Sequence, residues 1–413
     1  MNQQQIPDRV GTFRKTREQF IKEMDALAVF YEHEPTQAPV LIFHNDDDHK
    51  VFCTYFATFP EDHTGVPHIL EHSVLNGSRK YPVKEPFLEL IKASLYTFLN
   101  AMTYDDKTVY PVASRNPHDF RNLMDVYLDA IYHPLLTRET FMQEGWHLGV
   151  EPESKQLFYS GVVYNEMLGA TSTPESLLYE EIQKNLLPDT PYHFSSGGDP
   201  EHIPALTYEN YLEFYRRHYH PSNSRTVIYG DVNIQAVLEH LAEYYDEYTY
   251  REPTSVPNLV QPSFEAPRQV ETTYPATPTD VEKNAAYCVH AWLLPEPKSG
   301  LDYLTYAVLE ELLIGNHAAP LYRVLNESGL GTAPIVYLYD EICTPYLIAG
   351  LKGVNADQTD EVGKLIRNCL HELVEKRLDP RHLEAAINAV EFRLREANFG
   401  GYSKGLVYAL NSA

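Results

Sequence analysis

The segment His68-Ile69-Leu70-Glu71-His72 holds two histidines and a glutamate at a spacing that suits metal chemistry. On a helix, residues four apart lie one turn apart on the same face, so His68 and His72 could hold a single ion. Glu71 lies beside them and could reach a water molecule at that ion. This HxxEH order is the inverse of the HExxH zinc motif. The alternative is a surface helix that carries two solvated histidines.

A hydrolytic zinc site takes three protein ligands and keeps one position open, and two histidines with one carboxylate are a common set. The motif supplies two of these ligands, so a third must come from elsewhere in the chain. Several downstream acids are available, and the residues alone do not choose among Glu144, Glu151, Glu153 and Glu166.

Further sequence blocks surround the motif and continue beyond it. The first extends the motif itself over residues 63–82, and the others are 84–87, 97–103, 110–114, 161–167, 196–200 and 219–223. In this order they resemble the inverted-zinc-motif metallopeptidases of the pitrilysin/insulinase family, and within it most closely the presequence protease and falcilysin branch. The resemblance covers most of residues 40–230 and is looser in the second half of the chain.

The resemblance implies a role for each residue of the site. In that family the third zinc ligand is the glutamate of a Gly-Val-Val-x-Asn-Glu-Met block, which here is Glu166. His68 and His72 would be the other two ligands of one Zn²⁺ per chain. Glu71 would be the general base that takes a proton from water and passes it to the leaving amine.

The run from Thr97 to Thr103 matters for substrate binding. In the family, the matching strand is a sheet edge beside the metal, and an extended peptide adds to it as a further strand. The residues that match its motif are Asn100 and Ala101. The alternative is an ordinary hairpin strand, although asparagine is disfavoured in mid-strand, which supports a special role.

A glycine-rich run occurs farther along the chain, at Ser195-Ser196-Gly197-Gly198. It lacks the lysine and the spacing of a phosphate-binding loop. We therefore predict a turn.

Hydrophobic periodicity indicates the elements that must position these residues. Apolar runs at 40–44 and 51–59 flank the polar loop 45–50 and predict a β-hairpin. Helices are predicted at 67–75, 84–95, 117–132, 207–219 and 233–245, and strands within 97–112 and at 225–229. After a proline-rich segment, strands are predicted at 285–294, 335–339 and 346–351, and helices at 303–314, 357–375 and 381–396.

The two halves of the chain repeat this order of elements, which favours a duplicated module. We predict an α+β protein of two related α/β modules, each a mostly antiparallel sheet packed with long helices, as in the pitrilysin/LuxS-like metallohydrolase fold. The predicted domains are a catalytic zinc-binding domain at 1–250, a proline-rich linker or edge at 251–280 and a second, non-catalytic domain at 281–413. When the sequences of the two halves are aligned, residues 307–311 correspond to residues 68–72. The second half has no histidine at either position.

Composition excludes several classes of protein. The 413 residues are 43% hydrophobic and 22% charged, as in a globular protein of more than one domain. The net charge of −25 disfavours nucleic acid as a partner and favours cationic ligands such as basic peptides.

The cysteines form no CxxC pair, which argues against a zinc ribbon. Without a signal-peptide pattern or a run of ~18 apolar residues, we expect a cytoplasmic protein with no membrane partner.

Members of the branch that the chain resembles are longer and consist of two halves that close around a chamber. Residues 402–413 have the pattern of a helix with no stop signal, so we expect an N-terminal half whose last helix exposes an apolar face. The implied function is a zinc endopeptidase that degrades unstructured, presequence-like or signal-peptide-like oligopeptides. Its partners would be extended peptides and a C-terminal half of the same enzyme, covalent or in trans. The alternative is a non-catalytic homologue with a structural or peptide-binding role.

Overall fold

The computed structural model describes residues 6–84, 86–253, 255–276, 285–376, 378–395 and 400–412. These residues form two compact units, which are described separately. Unit 1 contains the described residues of Met1–Ser172, Phe194–Pro257 and Phe399–Ala413. Unit 2 contains those of Thr173–His193 and Asn258–Asn398.

Unit 1 is built on a nine-stranded, mostly antiparallel sheet. The strands of unit 1 are β1 Arg9–Val10, β2 Phe13–Ile21, β3 Ala26–His33, β4 Ala38–His44, β5 Lys50–Ala57, β6 Tyr96–Leu99, β7 Met102–Thr103, β8 Lys107–Ser114, β9 His147–Val150, β10 Leu157–Ser160 and β11 Ser224–Gly230. The order in the sheet is β1-β2-β3-β4-β11-β5-β8-β6, and β7 also pairs with β8. Strands β9 and β10 form a separate hairpin.

The predicted hairpin of residues 40–44 and 51–59 is wrong in its pairing. Strands β4 and β5 form where expected, but β11 lies between them, parallel to β4 and antiparallel to β5. The alternating side chains of β5 explain why it is buried on both faces: Phe52 belongs to one core, and Cys53 belongs to the other.

The helices of unit 1 cover both faces of this sheet. In chain order the helices that precede unit 2's strands are α1 Val66–Val74, α2 Pro86–Ala93, α3 Pro117–Tyr132, α4 Arg138–Glu144, α5 Val162–Ala170, α6 Pro174–Leu186, α7 Tyr208–His218 and α8 Ile234–Tyr245, of which α6 belongs to unit 2. Buried side chains of α1, α3, α7 and α8 form the larger core with one face of the sheet. Helix α3 begins at Asn116, whose side chain accepts hydrogen bonds from two backbone N–H groups of the first turn.

Unit 2 contains a three-stranded antiparallel sheet of order β12-β14-β13. Its strands and remaining helices are β12 Ala286–Leu293, α9 Gly300–Ile314, α10 Pro320–Glu327, β13 Ala333–Tyr339, β14 Tyr346–Val354, α11 Thr359–Lys376 and α12 Pro380–Arg395. One core joins the sheet to α9, α10 and α11. A second core joins it to Ile182 and Leu186 of α6. These features confirm the predicted α+β class.

The last helix, α13 Lys404–Asn411, returns to unit 1. Ser403 caps its first turn, and Leu406 and Ala409 are buried against strands of the sheet. Its apolar face is therefore covered, so the expectation of an exposed apolar face on the last helix is wrong. The reason is tertiary packing, which a linear pattern does not show.

The two units differ from the predicted domain limits at two segments. Residues 173–193 pack in unit 2, because α6 covers one face of its sheet. The described residues of 399–413 pack in unit 1, because α13 covers the smaller core there. The described part of the proline-rich segment, 251–253 and 255–276, contains no helix or strand, and residues 277–280 lie outside the described residues. Within the part of the chain that the structure describes, no helix is both long and apolar enough to cross a membrane.

Candidate metal centre

Helix α1 carries the motif and is fixed in place by its own buried face. It starts after Gly65, which has a left-handed backbone with φ of 66°, a conformation that glycine adopts without strain. Proline at the first turn suits this start because its missing N–H has no partner in the helix. Ile69, Leu70 and Val74 are buried in the core. His68 and His72 remain on the less buried side of the helix.

The structure brings His68, His72 and Glu166 together. One ligand atom from each lies within 4.8 Å of the others. Glu166 Oε2 lies 3.7 Å from His68 Nε2 and 3.7 Å from His72 Nε2. The two imidazole rings are nearly perpendicular, with centroids 5.0 Å apart. The carboxylate comes from α5, almost a hundred positions farther along the chain, so only the fold gives this third group its position.

The outer nitrogen of each imidazole has its own partner. His68 Nδ1 lies 3.1 Å from the carbonyl oxygen of Gly197, and His72 Nδ1 lies 3.3 Å from Glu144 Oε2. Both oxygens accept hydrogen bonds, so each Nδ1 is the protonated nitrogen. In the neutral imidazole this leaves a lone pair on each Nε2, the atom that faces Glu166. The donor set therefore fits a zinc ion.

Acidic groups around His72 favour a cation at this place. Burial is the largest influence on the His72 pKa and lowers it, but the hydrogen bond to Glu144 and the charge of Glu71 outweigh burial, so the pKa is raised. For Glu144, an acid, burial acts in the opposite direction and raises the pKa. Hydrogen bonds from His72 and Gln143 outweigh burial, so the pKa of Glu144 is lowered. Asn76 also donates to Glu144, at 2.6 Å. The centre thus concentrates negative charge around two imidazoles.

Glu71 has a different environment from the other acids. Only 8% of the residue is exposed, and it is not part of the three-residue group. The hydroxyl of Thr103, in β7, donates to Glu71 Oε2 at 2.6 Å. This bond fixes one carboxylate oxygen of Glu71, and the charge of that carboxylate raises the pKa of His72.

Asn100 and Ala101 link β6 to β7 at the end of the sheet. The Asn100 N–H donates to the carbonyl oxygen of Pro111 in β8 at 3.4 Å, and the Asn100 carbonyl accepts from Tyr127 Oη at 3.0 Å. Strand β6 is last in the order of the described sheet, so its outer side is an edge. Thr103 connects this edge segment to the motif helix through Glu71.

Sequence reasoning missed the residues that surround the ligands. Glu144 was one of several possible third ligands, but it hydrogen-bonds the outer nitrogen of His72 instead. Thr103 lay in a block noted for substrate binding, and its bond to Glu71 was not foreseen. The predicted turn at 195–198 contributes Gly197 to His68. None of these contacts leaves a pattern in the sequence, because each joins residues far apart in the chain.

Two other groups of possible metal ligands occur among the described residues. Asp47, with Asp48 and His49, lies in the β4–β5 loop, and Asp47 accepts from the His49 N–H, as a turn side chain does. In the second group, Asp125, which lies near His240 and Glu243, already accepts a hydrogen bond from Lys80 at 2.8 Å. Its charge is therefore balanced without an ion.

Comparison with known families gives two matches along the chain. The family model described as "Insulinase (Peptidase family M16)" matches residues 59–167, a range that includes the HxxEH motif and Glu166. The model described as "Peptidase M16 inactive domain" matches residues 205–390. Both models describe parts of the same peptidase family, and they match successive stretches of the chain.

The relatives with similar sequences include presequence proteases and a bacterial protein named HypA. Presequence protease 1, chloroplastic/mitochondrial, of Arabidopsis thaliana is 45% identical over 97% of this chain and 38% of its own length. Protein HypA of Clostridium perfringens is 44% identical over 94% of this chain and 40% of its own length. The mitochondrial presequence protease of Mus musculus is 36% identical over 96% of this chain and 39% of its own length. The chain spans about 40% of the length of these relatives.

Solved structures share the fold. Pitrilysin matches with a TM-score of 0.66 and 17% identity, over 97% of this chain and 41% of its own. A protease from Helicobacter pylori matches with a TM-score of 0.64 and 17% identity, over 88% of this chain and 89% of its own. These two matches confirm the predicted fold. The two family models and the sequence relatives confirm the resemblance, and the chain belongs to peptidase family M16.

Proposed function

We propose that this chain is the catalytic portion of a zinc-dependent endopeptidase that hydrolyses unstructured peptides. The observation that carries the proposal is the convergence of His68 Nε2, His72 Nε2 and Glu166 Oε2 beside the buried carboxylate of Glu71. Membership of a peptidase family supports peptide hydrolysis in general. The ligand set supports zinc, since two imidazoles and one carboxylate leave a position open for water or substrate.

His68, His72 and Glu166 would hold the ion, with Gly197 and Glu144 fixing the imidazoles from behind. When bound, zinc polarises a peptide carbonyl and lowers the pKa of water. Glu71 acts as the general base. Because Thr103 holds its Oε2, the Oε1 atom is available to accept the proton of the attacking water and then to deliver it to the leaving amine.

The substrate would bind as an extended strand on the outer edge of β6 and β7, at Asn100 and Ala101. A sheet edge offers unpaired N–H and C=O groups, and a peptide can use them only if its own backbone is free, which excludes folded proteins. The net charge of −25 favours basic peptides. Relatives named presequence proteases support presequence-like peptides as substrates.

Since the chain spans about 40% of its relatives, we also propose a C-terminal half, covalent or in trans, that closes the chamber over the metal. A cytoplasmic location without membrane or nucleic-acid partners is part of the same proposal. The second candidate function is a non-catalytic M16 subunit, which the family model of an inactive domain over residues 205–390 favours for that part of the chain.

Zinc content separates the two candidates. The chain is purified, dialysed against Zn²⁺ and analysed by atomic absorption, together with the His68→Ala variant. A zinc endopeptidase binds one zinc ion per chain and loses it in the variant. Equal zinc content in both proteins, or none in either, would contradict the proposed metal centre and favour the non-catalytic subunit.

A further inference from the structure

The turn formed by Ser195, Ser196, Gly197 and Gly198 contacts both helices that carry the candidate ligands. Its contact with a ligand is direct, because the Gly197 carbonyl lies 3.1 Å from His68 Nδ1. The turn is 129 positions from His68 in the chain, so it is neither part of the motif nor part of the helix that provides Glu166.

On the side of α1, the turn is in backbone-to-backbone contact with the residue that begins the helix. A Cβ atom at Gly65 would lie 2.6 Å from the Cα of Gly198 and 2.7 Å from the carbonyl oxygen of Gly197. Real Cβ atoms do not approach backbone atoms so closely. The start of α1 and the turn can therefore be this close only because Gly65 has no side chain.

On the side of α5, the turn packs against the residue that follows the third ligand. A Cβ atom at Gly197 would lie 3.0 Å from Cε and 3.1 Å from Sδ of Met167, and 3.9 Å from Nδ1 of His68. Gly197 therefore lies between a ligand of α1 and the neighbour of Glu166 on α5. A Cβ atom at this position would press on the end of the Met167 side chain and touch His68, so a larger side chain would crowd both.

The turn itself is held by hydrogen bonds. The Gly198 N–H donates to Oγ of Ser195 at 3.1 Å, and the Asp199 N–H donates to the carbonyl oxygen of His63 at 2.9 Å. His63 lies just before α1, so the turn is fixed to the same segment that begins the motif helix. A turn held in this way can act as a spacer between the two helices.

We propose that the 195–198 turn is a positioning element for the metal centre: it sets the spacing between α1 and α5 and the orientation of His68. This inference rests on the proposed zinc site. It assigns to Gly65 and Gly197 a role in metal affinity, although neither can ligate a metal through a side chain. Groups that orient metal ligands from outside typically affect metal affinity by about 10–100-fold.

The first test compares Gly65→Ala with Gly11→Ala. Both glycines have left-handed backbones, with φ of 66° and 53°, so alanine suffers similar backbone strain at either position. Only Gly65 meets other atoms, since a Cβ at Gly11 has nothing within 4 Å. Isothermal titration of the metal-free chains with Zn²⁺ should show a Kd about 10–100-fold higher for Gly65→Ala than for Gly11→Ala.

The second test avoids left-handed positions and remains valid if Gly65→Ala does not fold. Gly197→Val places a side chain between His68 and Met167, and Gly401→Val is the matched control because nothing lies within 4 Å of a Cβ there. Gly197→Val should weaken zinc binding by a similar factor and reduce the rise in Tm that zinc produces. Its metal-free Tm should stay close to that of Gly401→Val.

The two possible failures are distinguishable. Suppose that the wild-type chain and both controls bind zinc, and that the zinc Kd of Gly65→Ala and of Gly197→Val is within twofold of that of its control. The turn then does not position the ligands, and the inference is wrong. A fall in metal-free Tm with unchanged zinc Kd would show a purely structural role, which also contradicts it. If the wild-type chain binds no zinc at all, the proposed metal centre itself is contradicted.

Discussion

Glu71 and Glu166 lie beside the same two imidazoles but in different surroundings. The Glu71 residue is 8% exposed, and its Oε2 accepts from Thr103. The Glu166 side chain is 55% exposed, and its Oε2 is equally distant from both Nε2 atoms. An acid that is centred between two imidazoles suits coordination, whereas a buried acid with one fixed oxygen suits proton transfer. The two carboxylates can therefore be separated by experiment.

Glu71→Gln should remove peptidase activity and leave zinc in place. The amide has the shape of the acid but cannot take a proton, and general acid–base groups contribute about 10²–10⁴-fold to rate. The measurement is kcat on a fluorogenic unstructured peptide in the assembled enzyme, with zinc content determined on the same sample. A variant that retains its zinc and hydrolyses the peptide at the wild-type rate would exclude Glu71 as the base.

Glu166→Gln should instead reduce zinc affinity, because a neutral amide is a poorer ligand than a carboxylate. The loss should exceed the roughly 10–100-fold effect of an outer-shell change. Glu153→Gln is the matched control, since Glu153 is a glutamate that the sequence alone could not exclude. If Glu166→Gln and Glu153→Gln bind zinc with the same Kd, the third ligand is another acid, and Glu144 is the first to test.

The residues of the site differ in how far the sequence could predict them. The pair His68 and His72 follows from helical spacing alone. Glu166 required a resemblance to a family, because nothing local distinguishes it from other acids. Gly197 could not be predicted, since its part in the site is a backbone contact across 129 positions that only the folded chain creates.

At the scale of the elements, hydrophobic periodicity predicted where strands and helices lie better than it predicted which strands pair with each other. Helix α3 was predicted at its observed limits, because its apolar face repeats regularly. The loop between β4 and β5 predicted that these strands pair with each other, but each of them pairs with β11 instead. The inserted β11 begins at Ser224, far along the chain, and hydrogen-bond partners in a sheet are set by the whole core.

The edge strand provides a prediction about substrate binding. Asn100→Ala should lower kcat/KM about 3–10-fold, the effect of losing one or two hydrogen bonds to a bound peptide, with no change in zinc content. Thr97→Ala is the control on the adjoining strand β6, because Thr97 is also exposed but lies outside the Asn-Ala pair. Equal kcat/KM values for the two variants would remove Asn100 from the substrate site.

Helix α13 provides a prediction about stability. Leu406 is fully buried in the smaller core of unit 1, so Leu406→Ala should lower the free energy of unfolding of this unit by about 2–5 kcal/mol. Leu394→Ala on α12 is the control, since Leu394 is 63% exposed and its loss should cost within about 0.5 kcal/mol. Urea denaturation measures both. A Leu406→Ala protein as stable as the control would show that α13 does not pack on the sheet.

At the scale of the whole molecule, the described residues form two α+β units, and the three candidate ligands lie in unit 1. At the predicted register, unit 2 has Glu311 on α9 where the motif has its second histidine. Glu311 forms an ion pair with Arg393 at 3.1 Å, so this position supports packing between α9 and α12. The match of residues 205–390 to a domain described as inactive agrees with this difference.

The chain by itself should fold, bind one zinc ion and hydrolyse peptides poorly. Folding is expected because each unit has its own buried core, and zinc binding because all three candidate ligands lie in unit 1. Poor hydrolysis is expected because the chain spans about 40% of its relatives, so the proposed C-terminal half is not there to hold a peptide over the metal.

Positioning of substrate can provide ~7 kcal/mol or more of the rate enhancement, about 10⁵-fold in rate, which sets the size of the expected defect. The assay compares this chain alone with the same chain after the downstream half is added in trans, at matched zinc content. Addition should raise kcat/KM by several orders of magnitude, and addition to the Glu71→Gln variant should not. Gel filtration isolates the monomer of the chain alone, which is the species to assay. Full activity from that monomer would show that the single chain is a complete enzyme.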